Sequence, residues 1–241
     1  MLMKTVPLRL KPDSHPQARA CADCAVRGSA LFGALGARSI AQIQADIDAS
    51  ALAAETRLYA RGEPGTAVYT VREGIVRFQR VTEDGARRIV RLAGRGDLIG
   101  QEALLQQPYA DEAVACTPVQ LCRIPRQMVA ELAQEDGALM HELMRRWQQA
   151  LEQAGAWAAE LTTGAARRRV LKLLGELSRL ADDGREIWMP RREDMGAMLG
   201  LTIETTSRMV SQLRREGVLA SLSQRRAVLD PAALAAALQA A

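Results

Sequence analysis

The feature that most constrains this chain lies between Pro190 and Glu216, where a short apolar-faced segment runs into a glycine and then into a second, longer segment. Met195, Met198 and Leu199 recur at helical spacing, Gly200 follows where a left-handed backbone is cheap, and Thr202 stands where the next helix needs a cap. A second helix is predicted to start there at once. Ile203, Met209, Val210 and Leu213 are expected on its inner face, with Glu204, Thr205, Ser207 and Arg208 on or beside the opposite face near its N-terminus. A short helix, a tight turn and a longer helix make a helix-turn-helix, whose second helix sends its N-terminal residues into the major groove of DNA. The side chains suit a reader. Arginine can donate two bonds to guanine, glutamate can accept from cytosine, and serine or threonine can meet a base edge or a phosphate.

The next residues support double-stranded DNA as the partner. Gly217-Val218-Leu219 and Arg225-Arg226-Ala227-Val228-Leu229 look like a two-stranded wing with basic residues near its turn. The candidate DNA-binding set is therefore Thr202, Glu204, Thr205, Ser207 and Arg208, with Arg192, Arg225 and Arg226 as flanking cations. Between Ala165 and Asp230 there are 13 Lys and Arg against 9 Asp and Glu, so the chain's net charge of +4 is concentrated in this third. Aromatic residues are only 3% of the chain, which leaves few rings to stack on the bases of RNA or single strands.

Upstream the texture changes. From about Thr56 to Pro125, β-branched stretches such as Ala67–Val71 and Gly74–Phe78 alternate with turn glycines at 62, 65, 74, 85, 94 and 96, the spacing of an all-β roll. Glu83-Asp84-Gly85 is predicted as a hairpin tip. Residues 27–50 are predicted mostly helical. After Pro125 a helix of about 35 residues follows, and Gly164 interrupts it before Arg167-Arg168-Arg169 opens another. Met140, Trp147, Ala154 and Leu161 stand seven apart, with Leu143, Ala150 and Trp157 between them. A seam of about three heptads is best buried against its own copy across a two-fold axis, so a homodimer is expected through Met140, Leu143, Trp147, Ala150 and Ala154. The expected organisation is an irregular segment over 1–20, a sensory β-roll domain with its cysteine segment over 21–125, a dimerisation helix over 126–162 and a DNA-binding domain over 163–241.

Glu-Asp-Met-Gly-Ala-Met-Leu-Gly-Leu-Thr-Ile-Glu-Thr-Thr-Ser-Arg, residues 193–208, resembles the helix-turn-helix signature of the Crp/Fnr family. That resemblance extends over about residues 20 to 230 and implies an α+β chain: an N-terminal cyclic-nucleotide-binding-like β-roll, a long dimerisation helix and a C-terminal winged helix-turn-helix. Glu204, Ser207 and Arg208 match the triplet that reads TTGAT-type half-sites in the Fnr branch. The resemblance also makes the Glu83–Gly85 turn a candidate contact for RNA polymerase.

Cyclic-nucleotide-binding relatives hold the phosphate with an Arg-Ser or Arg-Thr pair. Here the corresponding stretch is Tyr109-Ala110-Asp111-Glu112-Ala113, where two carboxylates replace the needed cation. An anionic phosphate set there would be desolvated against like charge, so cyclic nucleotide is not expected. The Fnr-type alternative is a [4Fe-4S] cluster. Cys21-x-x-Cys24 and Cys122 resemble three of its four ligands, but Ala30 or Phe32 stands where the remaining N-terminal cysteine would be. Cys116 lies six residues from Cys122, roughly 20 Å along an extended strand, unless Pro118 folds the segment back. Asp23 and His15 are the nearest other donors, and the fourth ligand stays open. With only His15 and His141 in the chain, haem has little to bind to.

An oxygen- or redox-responsive regulator is thus expected. The alternatives are a family member that has no cofactor and acts constitutively or through a thiol switch, and the β-roll regulatory module of an enzyme. No Ser/His/Asp set, phosphate loop or metalloprotease motif is present, so catalysis is not expected. No apolar run approaches the roughly 18 residues that span a bilayer and no signal-peptide core precedes the roll, which points to a cytoplasmic protein without a membrane partner.

Overall fold

The computed structural model describes residues 47–241 apart from 136 and 224. Cys21, Cys24, the irregular segment over 1–20 and most of the predicted helix over 27–50 lie outside the described residues. The end of that predicted helix is instead strand β1 (Asp48–Leu52), paired antiparallel along β8 (Val119–Pro125) with Ala49 opposite Cys122. Its alanines favour a helix, but tertiary pairing overrides so weak a local preference.

The roll is built from two four-stranded antiparallel sheets. One runs β1-β8-β3-β6, with β3 at Ala67–Glu73 and β6 at Leu98–Ile99. The other runs β2-β7-β4-β5, with β2 at Arg57–Tyr59, β7 at Glu112–Ala115, β4 at Val76–Val81 and β5 at Arg87–Ala93. Ala67, Val68, Val71, Val76, Ile99, Leu121 and Ile124, none more than 1% exposed, fill the space between them. β4 and β5 form the predicted hairpin, its tip closed by a hydrogen bond from the Thr82 amide to the Ala86 carbonyl and by Gly85 at φ 80°.

Helix α1 (Arg126–Glu135) leaves the roll and α2 (Gly137–Leu161) follows. Leu139 and Leu143 of α2 close the roll's core. Gly164 then takes φ 83° and α3 (Ala166–Arg179) begins. The C-terminal unit packs α3 against α4 (Arg192–Leu199), α5 (Ile203–Arg215) and α6 (Pro231–Gln239), flanked by a sheet in the order β10-β11-β9 (Leu219–Ser223, Arg226–Leu229 and Glu186–Trp188). Its apolar core does not stop at the domain: Ile75, Ile89, Leu92 and Cys116 of the roll belong to the same cluster as Leu174, Met195, Val210 and Leu213. The chain is therefore α+β, a roll and a winged helix-turn-helix joined by a long helix. Among the described residues, no helix is long and apolar enough to cross a membrane.

Candidate nucleic-acid interface

The turn between α4 and α5 is set by two glycines. Gly200 caps α4 in the left-handed region at φ 63°, its amide bonded to the Gly196 carbonyl. Gly196 itself has no room for a side chain, since a Cβ there would meet the Leu201 carbonyl oxygen at 2.7 Å. Sequence reasoning missed this second requirement, although a glycine inside a short helix was the available signal. Thr202 then caps α5, its Oγ1 accepting from the Thr205 amide at 3.2 Å. Arg169 of α3 secures the other side by donating to the Leu199 carbonyl at 2.6 Å.

Val210 and Leu213 are fully buried beneath α5, and Thr206 joins them with its hydroxyl bonded back to the Thr202 carbonyl at 2.9 Å. Ile203, expected on the inner face, is 45% exposed at the first position of the helix. Thr202, Glu204 and Arg208 are exposed, and Thr205 and Ser207 are half-buried beside them. The structure thus gathers these five on one accessible face at the helix N-terminus. The Glu204 carboxyl is held below the usual carboxylate range by its own backbone amide and then by the Thr202 hydroxyl, so it is a pure acceptor near neutral pH.

The three flanking arginines differ. Arg192 is half-buried and donates to Met195 Sδ at 3.4 Å; burial and then the neighbouring charge of Arg214 lower its pKa. Arg226 pairs with Glu186 across β11 and β9. Arg225 lies over the Trp188 ring and donates to Glu55 of the roll at 3.4 Å.

Glu55 opens a polar network between roll and reader. It accepts from Arg77 at 2.8 Å, Arg77 donates to Gln79 at 3.0 Å, and Gln79 accepts from Arg87 at 3.2 Å. Arg87 then reaches Asp194 of α4 at 2.6 Å, where the carboxylate side chain is only 4% exposed. Cys116 is buried in this region, which pushes its thiol up to about 12, while the charge of Arg77 pulls the other way. Nothing in the sequence pattern pointed to these pairs.

The predicted seam on α2 divides into two faces. Leu143 is buried in its own roll and Ala150 is half-buried against it, whereas Met140, Trp147 and Ala154 are open. The exposed apolar stripe runs Met140, Met144, Trp147, Leu151, Ala154, Ala158, spaced alternately four and three. The expected set steps by three from Met140 and Trp147, to Leu143 and Ala150 on the roll side, whereas a step of four from the same residues reaches the open Met144 and Leu151.

Of the cysteines expected at a cofactor, only Cys122 is described. It is half-buried on β8 against the roll core, while Cys116 belongs to the separate core shared with the reader. Among the described residues, no group of three His, Cys, Asp or Glu could hold a metal. Cys21 and Cys24, the other thiols assignable to a [4Fe-4S] cluster, lie outside the described residues, as do Asp23 and His15. Asp111 and Glu112 are engaged by Arg80 at 2.7 Å and Arg57 at 3.5 Å.

Residues 50–136 match the family model for the cyclic nucleotide-binding domain, and residues 168–237 match that for the Crp-like helix-turn-helix domain. The nitrogen fixation regulation protein FixK of Bradyrhizobium diazoefficiens is 29% identical over 98% of this chain and 100% of its own length. The transcriptional regulator LdrP of Thermus thermophilus is 30% identical over 73% of this chain and 90% of its own. The solved structure of FixK2 from Bradyrhizobium japonicum superposes with a TM-score of 0.72 at 28% identity, covering 79% of this chain and 96% of that one.

Proposed function

Because the chain belongs to the Crp/Fnr family of transcription regulators, we propose that it acts as a cytoplasmic homodimer that reads a palindromic TTGAT-type site in DNA and answers to oxygen or redox state. The observation that carries the DNA reading is the open N-terminal face of α5, where Glu204, Ser207 and Arg208 stand together above a fixed cap. Arg208 suits guanine and Glu204 suits the exocyclic amine of cytosine.

The dimer follows from the exposed stripe on α2. Met144 at 61% and Leu151 at 70% exposure are costly in water, and their alternate four-and-three spacing is that of a coiled-coil seam. Met140, Trp147 and Ala154 join them, while Leu143 and Ala150 support the helix from the roll side. Two reading helices related by this axis would meet half-sites about 34 Å apart.

Cyclic nucleotide has no part in this reading. Where the phosphate's cation would stand, the roll has Asp111 and Glu112, paired with Arg80 at 2.7 Å and Arg57 at 3.5 Å. Redox sensitivity is assigned to Cys21, Cys24 and Cys122, and the exposed Glu83–Gly85 turn is the candidate contact for RNA polymerase. No residue is assigned a catalytic role.

Fluorescence anisotropy on a TTGAT palindrome tests the reading. Arg208→Ala should weaken binding at least tenfold, from about 1–3 kcal/mol per bidentate pair, and leave the dimer intact in sedimentation. Equal affinity of mutant and parent would refute the assignment. Iron and sulfide analysis after anaerobic purification addresses the signal: an iron-free, colourless protein leaves the thiols themselves as the redox element.

A further inference from the structure

One cation at this interface has no role in the reading above, and it comes from the roll. A Cβ on Gly200 would lie 2.8 Å from Nη1 of Arg88 and 3.3 Å from its Nη2, so this guanidinium rests on the turn of the helix-turn-helix. Ala86, Arg87 and Arg88 line one open cleft together with Gly200, Thr202 and Glu204. The neighbours of Arg88 hold it there: Arg87 is bound by Asp194 at 2.6 Å, and Ile89 is 1% exposed in the core shared with the reader.

Arg88 forms no ion pair among the described residues, and it is only half-buried. Asp84, whose charge it feels, is already bonded to the Thr82 hydroxyl and the Ala86 amide. An arginine left over beside the N-terminus of a reading helix stands where DNA backbone passes, since that terminus enters the groove between two phosphate walls. The partial positive charge of the same helix end favours the same anion.

We propose that the sensory roll itself touches DNA, with Arg88 donating to a backbone phosphate at the edge of the groove that α5 enters. This rests on the DNA reading of α5. The contact spans two domains, so a roll that shifts against the reader by a few ångströms would lose it.

The full-length protein, Arg88→Ala and Arg88→Lys are titrated by anisotropy with the palindrome and with an unrelated duplex of equal length, over a range of salt. Arg88→Ala should weaken both duplexes by the same factor, leaving their ratio unchanged, and lysine should recover most of the loss. One phosphate lost per subunit lowers the salt slope by about 0.9, or about 1.8 for a dimer, so the mutant's deficit should shrink about tenfold between about 50 and 200 mM salt. Parental melting temperatures in both variants exclude misfolding as the cause. Unchanged affinity and slope would overturn the proposal, and so would tighter binding, which would make the hairpin a shield over α5. A parent that binds both duplexes equally would sink the assignment of α5 as a sequence reader, yet the Arg88 slope would still be measurable. A parent that binds neither would overturn both.

Discussion

Removing the Arg87 guanidinium should destabilise the protein more than removing the carboxylate it faces. Asp194 sits in the first turn of α4 with its side chain 4% exposed, and Arg87 Nη2 lies 2.6 Å from Oδ1. Arg87→Ala strands that carboxylate without its cation. Breaking a fully buried pair from one side costs about 3–5 kcal/mol. The Arg87 side chain is 34% exposed, however, so solvent already screens part of the attraction and ~1–2 kcal/mol is the better expectation. Asp194→Ala instead leaves a guanidinium that keeps Gln79 at 3.2 Å and reaches water, at a cost under ~1 kcal/mol. The double variant should therefore resemble Asp194→Ala, because no stranded charge remains. Thermal melting followed by tryptophan fluorescence reads this directly, since Trp188 lies at the junction under Arg225. For a chain of this length each kcal/mol moves Tm by about 2–4 °C, so Arg87→Ala should melt roughly 2–8 °C lower. Asp194→Ala costing as much as Arg87→Ala, or two losses that add within about 0.5 kcal/mol in the double variant, would show that no stranded charge is at work.

Two further outcomes follow from the glycines and the buried thiol. Gly196→Ala should cost ~1–3 kcal/mol, because its Cβ meets backbone at 2.7 Å, whereas Gly175→Ala, in open space inside α3, should gain about 0.5–1 kcal/mol; urea titrations showing equal effects would refute the steric argument. Burial raises the Cys116 thiol from 9.0 to about 12, so at pH 8 it is almost wholly protonated. Mass spectrometry after iodoacetamide treatment should find it unmodified in the native protein and modified after unfolding, and native labelling as fast as in the denatured chain would contradict this.

The reader was legible because its determinants are local. Gly200, Thr202 and the buried Val210 and Leu213 lie within a dozen or so residues of one another, and each has a conformational requirement that its neighbours repeat. The roll was legible from its glycine-punctuated strands, down to the Glu83–Gly85 tip. Strand β1 was not, since Asp48-Ala49-Ser50-Ala51-Leu52 has no strand signal of its own and is extended only because β8 offers it an edge. On α2 the expected set and the open stripe share Met140, Trp147 and Ala154 but differ at Leu143 and Ala150. The helix's apolar residues cover two faces, and only the position of the roll decides that Leu143 turns inward while Met144 stays in water. Arg87 and Asp194 stand 107 residues apart, and Arg225 and Glu55 stand 170 apart, so no spacing rule reaches them.

The apolar cluster that Ile75, Ile89, Leu92 and Cys116 share with Leu174 and Val210 bears on how such regulators can be recombined. A chimera cut at the bend after Leu161 would give the reader a foreign sensor and leave a hole on its flank where the β4–β5 ribbon had been. The separable unit is thus larger than the chain's order suggests. A working graft would have to carry the ribbon and the end of β7 with the reader, or bring a sensor that presents the same four side chains. Swaps between distant relatives should succeed or fail on that patch rather than on the linker.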